Sequence, residues 1–220
     1  MSKIDLSQYQ TLIFDCDGVI LNSNKIKTQA FYDVAKIYGH ESAQALKDYH
    51  IRNGGISRYK KFEFLIKNIL RKPIETRELN KLLSNFSKEV KKALLTCESA
   101  TNIEALREKT KNTNWLIVSG GDQAELREVF KKRGLDSYFD GGIFGSPHTK
   151  DEILSNTTNS GLIKHPALYI GDSKYDYLVS SEFNLDFIFV SGWTDVVDWE
   201  SFIFENSIIS TKYLSDISDS

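Results

Sequence analysis

Two aspartates sit two residues apart in Asp15-Cys16-Asp17-Gly18, at the end of the apolar run Thr11-Leu12-Ile13-Phe14. Carboxylates held this close repel each other when both are ionised. The pattern therefore calls for something that offsets the repulsion: a proton, a cation, or a reaction that uses both groups. Ser119-Gly120-Gly121 ends a second apolar run, and Gly171-Asp172-Ser173-Lys174-Tyr175-Asp176 ends a third. Between them lies Ser146-Pro147-His148-Thr149-Lys150.

Several carboxylates gathered without a counter-ion raise one another's pKa, and a hard divalent cation relieves this. Mg²⁺ prefers oxygen ligands and typically takes one or two carboxylates plus a substrate phosphate. Histidines and cysteines with zinc-site spacing are absent from the sequence. A serine beside glycine amides can donate to phosphate oxygens, and Lys150 adds a point charge for the same anion. Cation, donors and carboxylates on one rigid edge suit phosphoryl transfer. One aspartate can attack phosphorus, while its neighbour protonates the leaving oxygen and later deprotonates water. The simpler roles open to these residues are turns and helix caps.

Parallel strands carry such groups to one edge. Residues 11–15, 115–119, 167–170 and 187–190 are short apolar runs bounded by Gly, Asp or Ser, and read as buried strands. Residues 122–133 and 175–183 have helical spacing, with Gly134 as a stop for the first. Strands alternating with helices predict a doubly wound, Rossmann-like α/β domain. Residues 22–95 break the rhythm with helical patterns at 23–38, 43–52, 58–70 and 75–95. An insert directly after the first strand stands over that strand's carboxyl end, where open α/β sheets bind ligands. The expected organisation is a core of residues 1–21 and 96–220 with an α-helical cap of residues 22–95. Within the cap, Asn53 and Arg58 on a glycine-containing loop are expected to read the substrate. Lys60 and Lys61 are expected as surface charge.

Composition narrows the partners. A length of 220 residues supports one good core and a smaller second lobe. A net charge of −2 offers no field for nucleic acid or an anionic membrane, so neither is expected. Lys131-Lys132-Arg133 is short and is expected to complement a helix C-terminus. Cys16 and Cys97 alone make no disulfide framework and favour a reducing compartment. The opening MSKIDLSQYQ lacks the apolar stretch of a signal peptide. The expectation is a cytoplasmic protein, monomeric or weakly dimeric, acting on a small phosphorylated metabolite.

In order and context, Asp15-Cys16-Asp17-Gly18-Val19, Ser119, Lys150 and Gly171 through Asp176 resemble the four motifs of the haloacid dehalogenase superfamily. The resemblance spans residues 11–190 and is greatest to its helical-cap phosphatases, of the phosphoglycolate phosphatase and beta-phosphoglucomutase kind. It implies Asp15 as nucleophile and Asp17 as general acid/base. It implies Mg²⁺ held by the Asp15 and Asp172 side chains and the Asp17 backbone carbonyl, with Asp176 ordering the metal's surroundings. Ser119, the Gly120 amide and Lys150 are implied to hold the phosphoryl group. In many relatives the motif lysine directly precedes a proline, whereas here Lys150 follows Pro147. The implied activity is hydrolysis of a small phosphomonoester, of a sugar, polyol or amino alcohol, through an aspartyl-phosphate. Alternatives are a hexose-phosphate mutase of the same fold and a non-enzymatic phospho-accepting module. Dehalogenases lack an acid/base at the second aspartate position, so Asp17 counts against that chemistry.

Overall fold

The computed structural model describes residues 4–218; residues 1–3 and 219–220, the outermost ends of the expected core, lie outside the described residues. Six segments form the strands β1 (Thr11–Phe14), β2 (Asn114–Asp122), β3 (Gly142–Ser146), β4 (Ala167–Gly171), β5 (Asp186–Val190) and β6 (Ile209–Thr211). All neighbouring strands pair in parallel, in the order β3-β2-β1-β4-β5-β6. Ten α-helices accompany them among the described residues. Four fall within residues 22–95: α1 (Asn24–Ala35), α2 (His40–Arg52), α3 (Arg58–Phe64) and α4 (Thr76–Leu94). The others are α5 (Ile103–Lys109), α6 (Gln123–Arg133), α7 (Lys150–Asn159), α8 (Lys174–Glu182), α9 (Trp199–Glu205) and α10 (Leu214–Ser218).

The pleat sends alternate residues to opposite faces, which divides the core in two. Leu12, Phe14, Trp115, Ile117, Leu168 and Ile170 share one cluster with α5, α6 and α1–α4. Ile13, Leu116, Val118 and Tyr169 face the other way, toward Ile153 and Leu154 of α7 and Val179 of α8. A sheet covered on both faces explains why its strands read as continuous apolar runs. The helices α1–α4 bury their own stripe: Leu82, Phe86, Val90 and Leu94 recur every fourth residue on α4. Phe86 packs 4.3 Å from the Phe31 ring of α1.

The strand order reverses direction between β1 and β4. Residues leaving these two adjacent strands flank the crevice at the topological switch point, where α/β sheets bind ligands.

Several elements differ from expectation. The strand β3 reads as loop in sequence because two of its five residues are glycine and only Ile143 and Phe144 are apolar. Strand β2 runs on through Ser119, Gly120 and Gly121 to Asp122, with an irregular register against β3. The expected helix 58–70 splits into α3 and a π-helical turn, Leu65–Ile69. Strand β6, Ile209–Thr211, lies outside the four strands expected from the sequence. Lys131, Lys132 and Arg133 occupy the last turn of α6, where they complement the dipole. Among the described residues, no helix is long and apolar enough to cross a membrane.

Candidate active site

Asp15 is the first residue past β1, and its backbone amide donates to the Ile170 carbonyl of β4 at 2.9 Å. That bond carries the sheet pairing up to the aspartate and fixes its side chain beside the residues that leave β4. Carboxylate oxygens of Asp15, Asp172 and Asp176 lie within 4.8 Å of one another, all three residues buried. At that spacing two ionised carboxylates repel by on the order of 3 kcal/mol with an effective dielectric near 20. The repulsion shows in their acidity. Burial pushes Asp15 up to about 7, with Lys150 opposing and Asp176 and Asp17 adding to the push. Burial, then Asp15 and Asp176, raise Asp172 well above the carboxylate range.

Lys150, the first residue of α7, is buried against both Asp15 and Asp176. Its ammonium stands 3.1 Å from Asp15 Oδ1 without hydrogen-bond alignment, which leaves that oxygen buried and without a hydrogen-bond partner. Burial opposes the Lys150 charge, but Asp15 and Asp176 outweigh it and raise its pKa well above the usual value. Asp176 has no free oxygen: Oδ1 takes Lys150, while Oδ2 accepts from the Ser173 amide at 3.1 Å and hydroxyl at 2.6 Å. These last bonds form a reciprocal cap at the start of α8.

Asp17 is differently placed. Ser23 donates to its Oδ1 and Lys27 to its Oδ2, each at 2.5 Å. Burial raises its pKa, but the Lys27 charge and these two donors prevail and hold it below the ordinary value. Gly18 turns the chain here at φ 80°, and a Cβ on it would stand 2.0 Å from Asp172 Oδ2. Glycine is therefore what lets the β1 and β4 carboxylates approach.

Ser119 is fully buried, and its hydroxyl accepts from the Gly121 amide at 3.0 Å. Gly120 meets the helical insert directly: a Cβ there would lie 2.3 Å from the Gly55 carbonyl oxygen. The Gly54–Ile56 stretch lines a cavity of ≈ 60 Å³ together with Asp15, Asp17, Asp172 and Gly120. Arg58 also reaches this cavity, but its guanidinium is taken by Glu125 of α6, at 2.6 and 3.2 Å, and by Ser87 at 2.8 Å. Asn53 is absent from the cavity wall; its amide donates to the Tyr49 carbonyl at 2.8 Å.

Residues that sequence reasoning passed over complete the walls. Asn24 donates to Asp172 Oδ2 at 2.7 Å and to the Trp193 carbonyl at 2.8 Å, tying α1 to the segment after β5. Lys27 follows Asn24 by three residues, on the same face of α1. That polar spacing just after the Asp15-x-Asp17 turn was the available signal. Lys61 corrects an expectation: it is 2% exposed rather than a surface charge, and it lines the cavity beside His50. Lys60 is exposed, as expected.

The chemistry of these donors fits a hard divalent cation. They are oxygens, they are crowded and buried, and Asp15 Oδ1 lacks a hydrogen-bond partner.

Comparison with known proteins shows the family. The family model described as haloacid dehalogenase-like hydrolase matches residues 12–190. A phosphorylated carbohydrates phosphatase of Thermotoga maritima is 27% identical over 143 residues, covering 62% of this chain and 61% of the relative. The chain thus spans about three fifths of that relative's length. A predicted phosphatase from Clostridium acetobutylicum superposes with a TM-score of 0.73 at 19% identity, covering 97% of this chain and 98% of that one. A provisionally assigned beta-phosphoglucomutase from Bacteroides vulgatus gives a TM-score of 0.74 at 12% identity, covering 97% of this chain and 87% of that one. At these identities the two structures show a shared fold. With the family model spanning most of its length, the chain belongs to the haloacid dehalogenase-like hydrolases.

Proposed function

We propose that the protein is a Mg²⁺-dependent phosphatase for a small phosphomonoester, with a phosphorylated sugar or polyol as the leading substrate class. The observation that carries this reading is the buried Asp15 oxygen without a hydrogen-bond partner, set among Asp172, Asp176 and Lys150 at the switch point of the sheet. The substrate class takes support from the Thermotoga maritima relative, a phosphorylated carbohydrates phosphatase.

In this reading Asp15 and Asp172 hold the metal through side chains and Asp17 through its backbone carbonyl. The cation, when bound, neutralises phosphoryl charge and makes the crowded carboxylates tolerable. Asp176 is a positioning residue, since Lys150 and Ser173 occupy both its oxygens. The Asp15 carboxylate attacks phosphorus as the ester P–O bond breaks, and Asp17, protonated once its pairing with Lys27 and Ser23 loosens, gives its proton to the departing oxygen. Water, deprotonated by Asp17, then attacks the same phosphorus, releasing phosphate and restoring Asp15. Ser119, the Gly120 amide and Lys150 balance the charge on the phosphoryl oxygens. Residues 22–95 serve as a cap that excludes bulk water during these steps and opens for release. The substrate-reading role of Asn53 and Arg58 requires movement of the cap, because both side chains are engaged elsewhere in this arrangement.

Phosphate release from a panel of sugar and polyol phosphates, with and without Mg²⁺, tests the reading. Free phosphate should appear with the metal and vanish in Asp15→Asn. Conversion of a hexose phosphate into its isomer without phosphate release would favour a mutase instead.

A further inference from the structure

The insert presents three cations to the cavity, Lys27, Arg58 and Lys61. Two are matched by carboxylates: Lys27 by Asp17 at 2.5 Å and Arg58 by Glu125 at 2.6 Å. Lys61 is not. Its nitrogen lies 2.6 Å from His50 Nδ1 and 5.4 Å from the centre of the Phe31 ring, and no carboxylate comes within ion-pair distance of it among the described residues. A buried ammonium without a counter-charge costs free energy that methionine or leucine in the same space would not. A lysine has three donors, and the histidine nitrogen takes only one.

Apolar residues share the wall with Lys61. Phe31, Phe86, Ile51 and Ile56 bound the same ≈ 60 Å³ cavity. Asp195 also lines it, but its Oδ2 accepts from Thr28 at 2.7 Å. A phosphoryl group at Asp15 leaves the remainder of the ester to occupy the space walled by the insert. That space admits a short leaving group and offers it one unmatched positive charge.

We propose that Lys61, oriented by His50, is a subsite for an anionic group on the non-transferred part of the substrate, so that the preferred substrates are short phosphomonoesters bearing a carboxylate or a second phosphate. This rests on the phosphatase reading and narrows it. The anion supplies the counter-charge that the fold withholds from Lys61, and a substrate lacking one leaves that charge buried and unmatched. Lys61 is thereby a specificity determinant, and His50 positions it.

The test compares kcat/KM with Mg²⁺ for phosphoglycerate and for glycerol phosphate, which replaces the carboxylate by a neutral hydroxymethyl group. Wild-type protein should favour phosphoglycerate by roughly ten- to hundred-fold, the range of a hydrogen bond to a charged group. Lys61→Met should bring the ratio near one, and Lys61→Gln should reduce it strongly. Because the readout is a ratio of two substrates on one sample, partial loss of folded protein cancels. Propanediol bisphosphate assigns the anion: preference for it over phosphoglycerate points to phosphate, the reverse to carboxylate. A wild-type ratio at or below one, or a preference that survives Lys61→Met, overturns the subsite. Turnover of glycerol phosphate without anion preference leaves the phosphatase reading standing and removes only this inference. If neither ester is hydrolysed, calorimetry decides the subsite independently of activity. Phosphoglycerate should bind Asp15→Asn protein at least ten-fold more tightly than it binds Asp15→Asn/Lys61→Met, and equal binding overturns the assignment.

Discussion

The Arg58 guanidinium at the start of α3 grips the Glu125 carboxylate of α6 with both arms, at 2.6 and 3.2 Å, and the two side chains are only 4% and 7% exposed. This pair joins the helical insert to the sheet's own helices. Around it, Tyr59 donates to Asp122 at 2.9 Å and Lys91 meets Glu128 at 2.6 Å. Lys91 and Glu128 are over 40% exposed and contribute little. The buried pair is different: removing one partner strands the other's charge. Glu125→Ala should therefore lower unfolding free energy by about 3–5 kcal/mol, while Arg58→Met/Glu125→Leu recovers most of that loss. Urea denaturation measures both. A change below about 0.5 kcal/mol in the single variant, the range of unremarkable surface substitutions, would contradict the assignment.

Gly120 lies so close to the backbone of Gly55 that a side chain on Gly120 has no room. A methyl group at Gly120 would stand 2.3 Å from the Gly55 carbonyl, and this neighbour is backbone and cannot rotate away. Gly120→Ala should hold the insert off the sheet edge and lower kcat/KM by roughly a hundred-fold, as ångström-scale misplacement does. Thermal stability should change far less. Full activity in this variant would mean that the Gly54–Ile56 stretch does not need to seat there during turnover.

The crowded carboxylates make opposite predictions for stability and for metal binding. Asp172→Asn removes one buried carboxyl group, and the cost of ionising or protonating it there, from the neighbourhood of Asp15 and Asp176. Asn24 can still donate, now to the amide oxygen. The metal-free variant should melt higher than wild type, by about 2–4 °C for each kcal/mol of repulsion relieved. The rise in Tm that Mg²⁺ gives wild type should be lost in the variant. Scanning calorimetry with EDTA and with Mg²⁺ reads both effects, and an undiminished Mg²⁺ response in Asp172→Asn would remove Asp172 from the ligands.

Lys61 supplies the pH dependence. Burial, reinforced by the Lys27 charge and opposed by Asp17, pulls it from 10.5 down to about 7. The groups facing it are Lys27 of α1, His50 of α2, Asp17 after β1, Asp195 after β5 and Lys150 of α7. Burial and the neighbouring Lys61 and Lys27 charges hold His50 well below its usual value, so it stays neutral in this range. An anionic leaving group needs the charged lysine. KM for phosphoglycerate should therefore climb above pH 7, by up to about ten-fold per pH unit, while glycerol phosphate serves as the control for phosphate ionisation. The stability sign runs differently: as pH falls from 10.5 toward 7 the unfolded chain takes up this proton first, so the buried site weakens the fold over that window. Lys61→Met should flatten both profiles.

Much of this architecture was legible in the residues. Strands β1, β2, β4 and β5 are compact apolar runs, and each ends on a residue that changes character abruptly, such as Asp15 or Asp172. Strand β3 was hidden because Gly141, Gly142 and Gly145 dilute its apolar signal, and its pairing with β2 is a tertiary fact. Helices α9 and α10 lie in a segment with no clear period. The walls of the cavity were the least legible part. A lysine beside Lys60 on a short helix looks like solvent-facing charge, and only the packing of α1, α2 and α4 around α3 buries Lys61. Arg58 looked free to meet a ligand because its partner, Glu125, lies 67 residues away on another helix.

Covalent chemistry at Asp15 is tested most directly by acid-quenching the enzyme during turnover of a good substrate with Mg²⁺, digesting it and locating phosphate by mass spectrometry. The peptide containing Asp15 should carry a phosphoryl group that hydroxylamine removes, and Asp15→Asn protein should carry none. Steady phosphate release with no phosphorylated peptide under these conditions, or with the label on another residue, would contradict the account.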